Sequence, residues 1–526
     1  MNASSVRLER GLLGLALMQG ILGDVLLRSV PWGVNLVIWA SAGIAGMVVL
    51  ALRERDRGVP WRGEAPAEPR ALPDVRPAGT PCADGSGGRL PHRPAVVIPR
   101  AAPGWMALAW LCALLVAIRD APALSLLTLV AGAGCLALAA WTARGGSPFA
   151  AAPTDFVVQG ILTALHAVLG GFAWIVAAAR RRGAMVDERR ARPWVRAAGG
   201  VVAALPVLIL FGALFAAADP VFAHGIQQIV NLDFAAFARH TLLIGFWGWI
   251  CAGYGRRFLL GGEAPAGSLA PPPPVRAPVI EVMIGLGLLA VLFLAFVVVQ
   301  LRYLFGSDAL IQATIGMTYA EYARRGFFEL LAVALLLLPL LLGCDWLLGA
   351  ARNRRGFQGL AVALIALLGI IMVSAWKRLS LYAGAYGLTE SRLYAAALLV
   401  WVALVILWFI ATVLPGRRPR FAVGAVIAGL VVLGGLQLLD PDAFIARSNL
   451  ERARKGLRSD VDHLLRLGPG AAPILLRGLS ALPETDRDRV RESLVQLWGH
   501  PAPDWRQWNL ARARARAAVA LMPGTP

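Results

Sequence analysis

Apolar runs of about 20 residues recur along this chain with short polar connections between them, and that is the length a helix needs to cross the hydrocarbon core of a bilayer. Lipid offers no hydrogen bonds, so each run must satisfy its own backbone and is read as a helix. The runs fall near 11–27, 32–52, 104–118, 121–142, 197–217, 241–260, 279–303, 327–349, 358–376, 393–414 and 421–439. The expected fold is therefore all-α: a polytopic helical membrane bundle of about 11 spans. Its 526 residues are 58% hydrophobic and only 16% charged, with mean hydropathy +0.65, far too apolar for a soluble chain of this size. A net charge of +20 in a soluble protein would suggest nucleic acid. In a membrane protein, arginine in cytoplasmic loops and headgroup regions accounts for it, so no nucleic-acid partner is expected.

Five cysteines, Cys82, Cys112, Cys135, Cys251 and Cys344, are scattered singly, with neither a disulfide framework nor a CxxC pair. Arg7 and Arg10 precede the first run, but no small-residue cleavage site follows, so it is read as a retained helix. Residues 1–52 carry the first two spans. Residues 53–103 hold ten prolines, scattered arginine and a GSGG tract, and read as a disordered cytoplasmic loop. Residues 104–439 form the main transmembrane domain, interrupted by the proline-rich linker GGEAPAGSLAPPPPVRAP.

One more run, 156–179, is long enough to cross and decides the topology. Were it to cross, the basic segment RRRGAMVDERRARPWVR and the arginine-rich loop 53–103 would lie on opposite sides, against the positive-inside rule. Gln159, Thr163 and His166 also form one polar stripe, so an interfacial or re-entrant helix is expected there. The N-terminus is then cytoplasmic and the C-terminal tail outside, with 28 Lys and Arg on the inner side of the spans against 9 on the outer. The tail, 440–526, shows helical patterns near 443–456, 459–466, 470–482 and 485–499, similar to one or two HEAT repeats. So few repeats must pack on the membrane domain or on a partner. Its last segment, DWRQWNLARARARAAVA, reads as a basic helix lying on headgroups or packed on the tail's own core.

The densest polar stretch is WKRLSLYAGAYGLTESRLY, 376–394. Arg378, Tyr382 and Tyr386 recur at i, i+4 and i+8 on one helix face. Gly387 supplies a left-handed terminator, Thr389 an N-cap, and Leu388 with Leu393 a hydrophobic staple, giving a helix–glycine–helix corner. Upstream, TYAE at 318–321 is a capping box, with Glu321, Arg325 and Glu329 at i,i+4 steps.

The words AYGLTESRLYA, TYAEYARRGFFEL, AADPVF, DPDAFIARSNLERA and DWRQWNL resemble segments of bacterial integral membrane proteins grouped as domains of unknown function 4153 and 4173. The resemblance runs from about Trp105 to the end of the chain. It implies a polytopic envelope protein of the inner membrane with a soluble tail, and carries over no catalytic residue.

In the expected topology the polar words converge outside the membrane. Tyr319, Glu321, Tyr322, Arg325 and Glu329 would face Arg378, Tyr382, Tyr386, Glu390 and Arg392 across an outward cleft, with Asp219 at the end of the fifth span. The bland reading is that they start helices and neutralise one another. As a site, tyrosines and arginines together suit a lipid headgroup, a glycan or a peptide. The expected function is an envelope sensor or scaffold, with membrane lipids and an envelope protein or glycan as partners through the cleft and tail. The alternatives are a membrane-embedded transferase or lipid-handling protein using the glutamates as acid or base, and a transporter. No cofactor or metal is expected, because His224 and His240 lack nearby partners and no nucleotide or metalloprotease motif stands in context.

Overall fold

The structure, a computed structural model, describes residues 3–28, 31–55, 101–185, 234–260, 279–304, 327–348, 354–457, 460–502 and 504–522, with isolated positions between 208 and 219. Among them all regular elements are helical, and ten helices are long and apolar enough to cross a membrane. The chain is an all-α, multi-pass membrane protein. Most of the loop expected at 53–103, the linker 261–278 and almost all of the run 197–217 lie outside the described residues.

The first half comprises α1 (Ala3–Leu27), α2 (Val34–Arg55), α3 (Ala101–Ile118), α4 (Pro122–Thr142), α5 (Pro153–Met185) and α6 (Phe234–Gly255), which widens into a π turn at Arg256–Leu260. α1 and α6 run antiparallel at backbone contact. A Cβ on Gly20 would strike the Ile244 carbonyl, and one on Gly23 the Trp247 ring. Small residues are what permit that approach where lipid supplies no hydrophobic drive.

The second half comprises α7 (Val279–Leu304), α8 (Phe327–Leu348), α9 (Arg354–Tyr386) and α10 (Glu390–Thr412), around a core in which Leu341, Leu364, Leu368 and Phe409 are fully buried. α11 (Phe421–Leu439) joins the halves, placing Phe421 in the second core and Val423 in the first. Across the seam the Gln437 amide donates to Thr128 Oγ1 of α4 at 2.8 Å.

α5 is the helix expected to be interfacial or re-entrant. It lies along the bundle, antiparallel to α6: Gln159 and Thr163 meet Arg257, Gly170 meets Gly253, and Gly171 meets Trp249. Of the polar stripe, Thr163 is buried, Gln159 is half-buried and His166 is exposed. The stripe receives Arg257, a contact across about 90 residues of sequence that periodicity cannot reveal. Once that arginine is buried, Gln159 and Thr163 belong to the packed face of the helix.

The tail folds onto one end of the bundle. Its helices α12 (Pro441–Arg454), α13 (Val461–Arg466), α14 (Ala472–Arg477), α15 (Glu484–Trp498) and α16 (Leu510–Ala520) share a core of Leu450, Leu464, Leu475, Val490, Leu494 and Val519. The expected long basic helix is a short turn at Trp505–Gln507 followed by α16, N-capped by Asn509 and packed on the tail's own core.

Candidate functional site

The polar residues gather where tail and bundle meet, and the glycine corner is the centre of that junction. α9 runs unbroken to Tyr386 and stops at Gly387, whose φ of +84° is left-handed as the sequence requires. Leu388 and Leu393 fall into one apolar cluster with the fully buried Ile445 of α12, which locks the corner's angle. Thr389 is the N-cap of α10 by position, but its hydroxyl pairs with Ser391 Oγ at 3.1 Å and makes no capping bond.

A helix end leaves orphan carbonyls. At the end of α9 arginines take them. Arg452 of α12 donates to the carbonyls of Gly384 and Ala385, and Arg392 to that of Gly387. Asn449 adds two bonds, accepting from the Leu388 amide at 2.9 Å and donating to the Leu388 carbonyl at 2.8 Å. The Arg392 guanidinium lies 4.1 Å over the Tyr382 ring, and Tyr382 meets Tyr386 edge-on at 5.2 Å.

The described residues of the expected cleft do not all meet. Tyr382, Tyr386 and Arg392 are together; Arg378 is turned into the bundle, donating to Gln300 Oε1 at 3.0 Å. Glu390 belongs to a different group, beside Asp442. Glu329 is exposed in the first turn of α8, and Asp219 is exposed as well. Tyr319, Glu321, Tyr322 and Arg325, the other wall of that cleft, lie outside the described residues.

Next to the corner is a cluster that the sequence reading did not single out. Asp440 takes the left-handed conformation, φ 56°, and turns the chain from α11 into α12. Its carboxylate pairs with Arg119, which also donates to the Gln437 carbonyl at 2.9 Å. Asp120 holds Arg512 of α16 through two bonds, 2.6 and 2.7 Å, and Asn509 donates to the carbonyls of Val116 and Arg119. The Gly-Pro-Gly break of the tail lies on these acids. A Cβ at Gly468 would run into the Asp442 carboxylate, and one at Gly470 into that of Asp440.

Asp442 is the least compensated member. It is 3% exposed, and its Oδ1 has no hydrogen-bond partner among the described residues. Burial, reinforced by the negative charges of Glu390, Asp440 and Asp120, pushes its carboxyl up to about 7, against a smaller opposing effect of the Gly468 amide. The Tyr394 hydroxyl nearby is buried as well. A buried acid with an empty lone pair, pressed by like charges, is arranged to hold a proton near neutral pH.

Two other pairings cross long stretches of sequence. His240 of α6, dismissed from the sequence for want of neighbours, bonds Asp24 of α1 through Nδ1 at 2.6 Å, and Arg28 closes the group 2.7 Å from its Nε2. Asp345 of α8 pairs with Arg418 at 2.9 Å. Among the described residues no three His, Cys, Asp or Glu side chains form a cluster suited to a metal ion.

A family model described as domain of unknown function DUF4153 matches residues 106–478, more than half of the chain and the first of the two families to which the sequence words pointed. No curated protein and no solved structure matches the chain.

Proposed function

The chain belongs to the DUF4153 family, and from that membership and the junction just described we propose that it is a sensor or scaffold of the bacterial inner membrane whose tail forms its outward face. The tail is clamped on the bundle and receives an envelope protein, a glycan or a lipid headgroup. The observation that carries this reading is the position of Asp442. An under-satisfied acid sits in the seam between the membrane bundle and the domain that would meet a partner, where a change of proton or ligand alters how firmly the two halves hold.

Helix direction and arginine placement support this orientation. α4 begins under the tail at Pro122 and ends at Thr142, so the turn carrying Ser147 is at the far end of the bundle. α1 ends under the tail as well, since Arg506 donates to the Val25 carbonyl, so the start of α1 and the end of α2, which leads into the arginine-rich loop, are at the far end. That arginine-rich loop favours the cytosol.

The test is labelling of intact cells with a membrane-impermeant maleimide in a cysteine-free background. Ser480→Cys, exposed on the tail, labels from outside, and Ser147→Cys labels only after the membrane is opened. The reverse pattern would place the tail in the cytosol and end the envelope reading.

A further inference from the structure

At the opposite end of the bundle lies a cation with no counter-charge among the described residues. Arg257, in the π turn closing α6, is 1% exposed. Its Nε donates to Thr163 Oγ1 at 2.8 Å and its Nη2 to Gln159 Oε1 at 2.7 Å. Nη1 lies 3.4 Å from His166 Nδ1, but that nitrogen is 2.7 Å from the Leu162 carbonyl. A ring nitrogen facing a carbonyl carries the proton, so it cannot also accept from Arg257. No carboxylate pairs with Arg257 among the described residues, and the charge that acts on it is that of Arg144, which is like in sign. A buried guanidinium within a membrane bundle is costly, and an anion that approaches it removes the cost.

Beside this arginine a half-open cleft of about 310 Å³ runs between α4, α5 and α11, lined by Leu138, Phe156, Gly160, Val426, Gly429 and Leu433. Gln159, the residue that binds Arg257, forms part of the same wall. The cleft is almost wholly carbon; Arg257 stands behind its wall, bonded to Gln159, and Arg144 follows the end of α4, whose Leu138 lines it. That is the layout of one ligand class: a long apolar chain with a negative head.

We propose that this cleft holds an acyl chain of an anionic phospholipid, with the lipid phosphate drawn to Arg144 and Arg257. The site is distinct from the tail junction and stands or falls separately from it. Arg144 follows α4 directly and is half-buried, so it can meet the phosphate while Arg257 adds its unmatched charge from behind. The bound lipid would also staple α5 to α4 and α11.

The test uses the full chain purified in a neutral detergent, with phosphatidylglycerol or phosphatidylcholine of the same acyl chains added and the melting temperature followed. Phosphatidylglycerol should raise the wild-type melting temperature by several degrees, and phosphatidylcholine by less. Gly160→Leu fills the cleft without a clash, because a Cβ at that position meets nothing within 4 Å, and it should abolish the response. Gly134→Leu, equally unobstructed, is the second filling variant should the first not fold. Arg144→Gln should keep the response to phosphatidylcholine and lose the preference for phosphatidylglycerol. Equal stabilisation of the wild type by both lipids, or a filled cleft that still responds in full, would overturn the proposal.

Discussion

Asn449 holds Leu388 by both of its backbone groups, accepting from the amide at 2.9 Å and donating to the carbonyl at 2.8 Å across 61 residues of sequence. The glycine corner cannot satisfy these groups itself, because α9 has ended and α10 has not begun. Asn449→Ala leaves an amide and a carbonyl without partners, which costs about 1–3 kcal/mol. The variant should keep the bundle's helical content but lower the melting temperature and speed proteolytic release of the tail. An unchanged melting curve would show that the contact holds nothing.

The pair Arg512–Asp120 should matter far more than the pair Arg489–Asp462. The Arg512 side chain is 9% exposed and that of Asp120 28%, whereas both members of the second pair are more than half exposed. Arg512→Ala also strips Asp120 of its cation in a neighbourhood that already contains Asp442 and Asp440. The expected loss is about 3 kcal/mol, the lower end for a broken buried pair, against about 0–1 kcal/mol for Arg489→Ala. A double-mutant cycle with Asp120→Ala isolates the pair, and a coupling near zero would refute its role.

The direction of α5 makes a prediction opposite to the one drawn from charge. Gly171 is level with Trp249, and the helix continues to Met185, about 21 Å farther toward the tail end. Met185→Cys should therefore be labelled from the same side as Ser480→Cys. Labelling from the side of Ser147→Cys would restore the interfacial placement expected from the positive-inside rule.

Most of the architecture can be read from one-dimensional signals. Hydropathy gives the spans, and Gly387 marks the corner because only a left-handed residue ends α9 there. What the sequence hides is pairing. His240 was set aside for lack of neighbours, yet its partner Asp24 is 216 positions away, on a helix whose glycines bring the two backbones together. The stripe Gln159, Thr163 and His166 was visible, but its meaning depended on Arg257. Glu390 was grouped with the arginines because they share a short stretch of chain; in three dimensions it turns to the acids of the tail junction instead.

Asp442 is expected to set how firmly the tail is held. Its carboxyl titrates at about 7 in the folded protein against an ordinary value of 3.8, so between those values the folded state keeps a proton that the unfolded chain has released. Stability from this group is complete below the ordinary value and is lost as pH rises through about 7. The groups around it are Glu390 and Tyr394 of α10, Asp440, and Asp120, with Arg119 and Arg512 pairing the last two. The decisive measurement is hydrogen exchange of the α12 amides, corrected for intrinsic rates, at about pH 5.5 and about pH 8.5 in wild type and Asp442→Asn. Wild-type α12 should lose protection at the higher pH while the variant does not. Equal wild-type protection at both values, or a variant that follows the wild type, would contradict it.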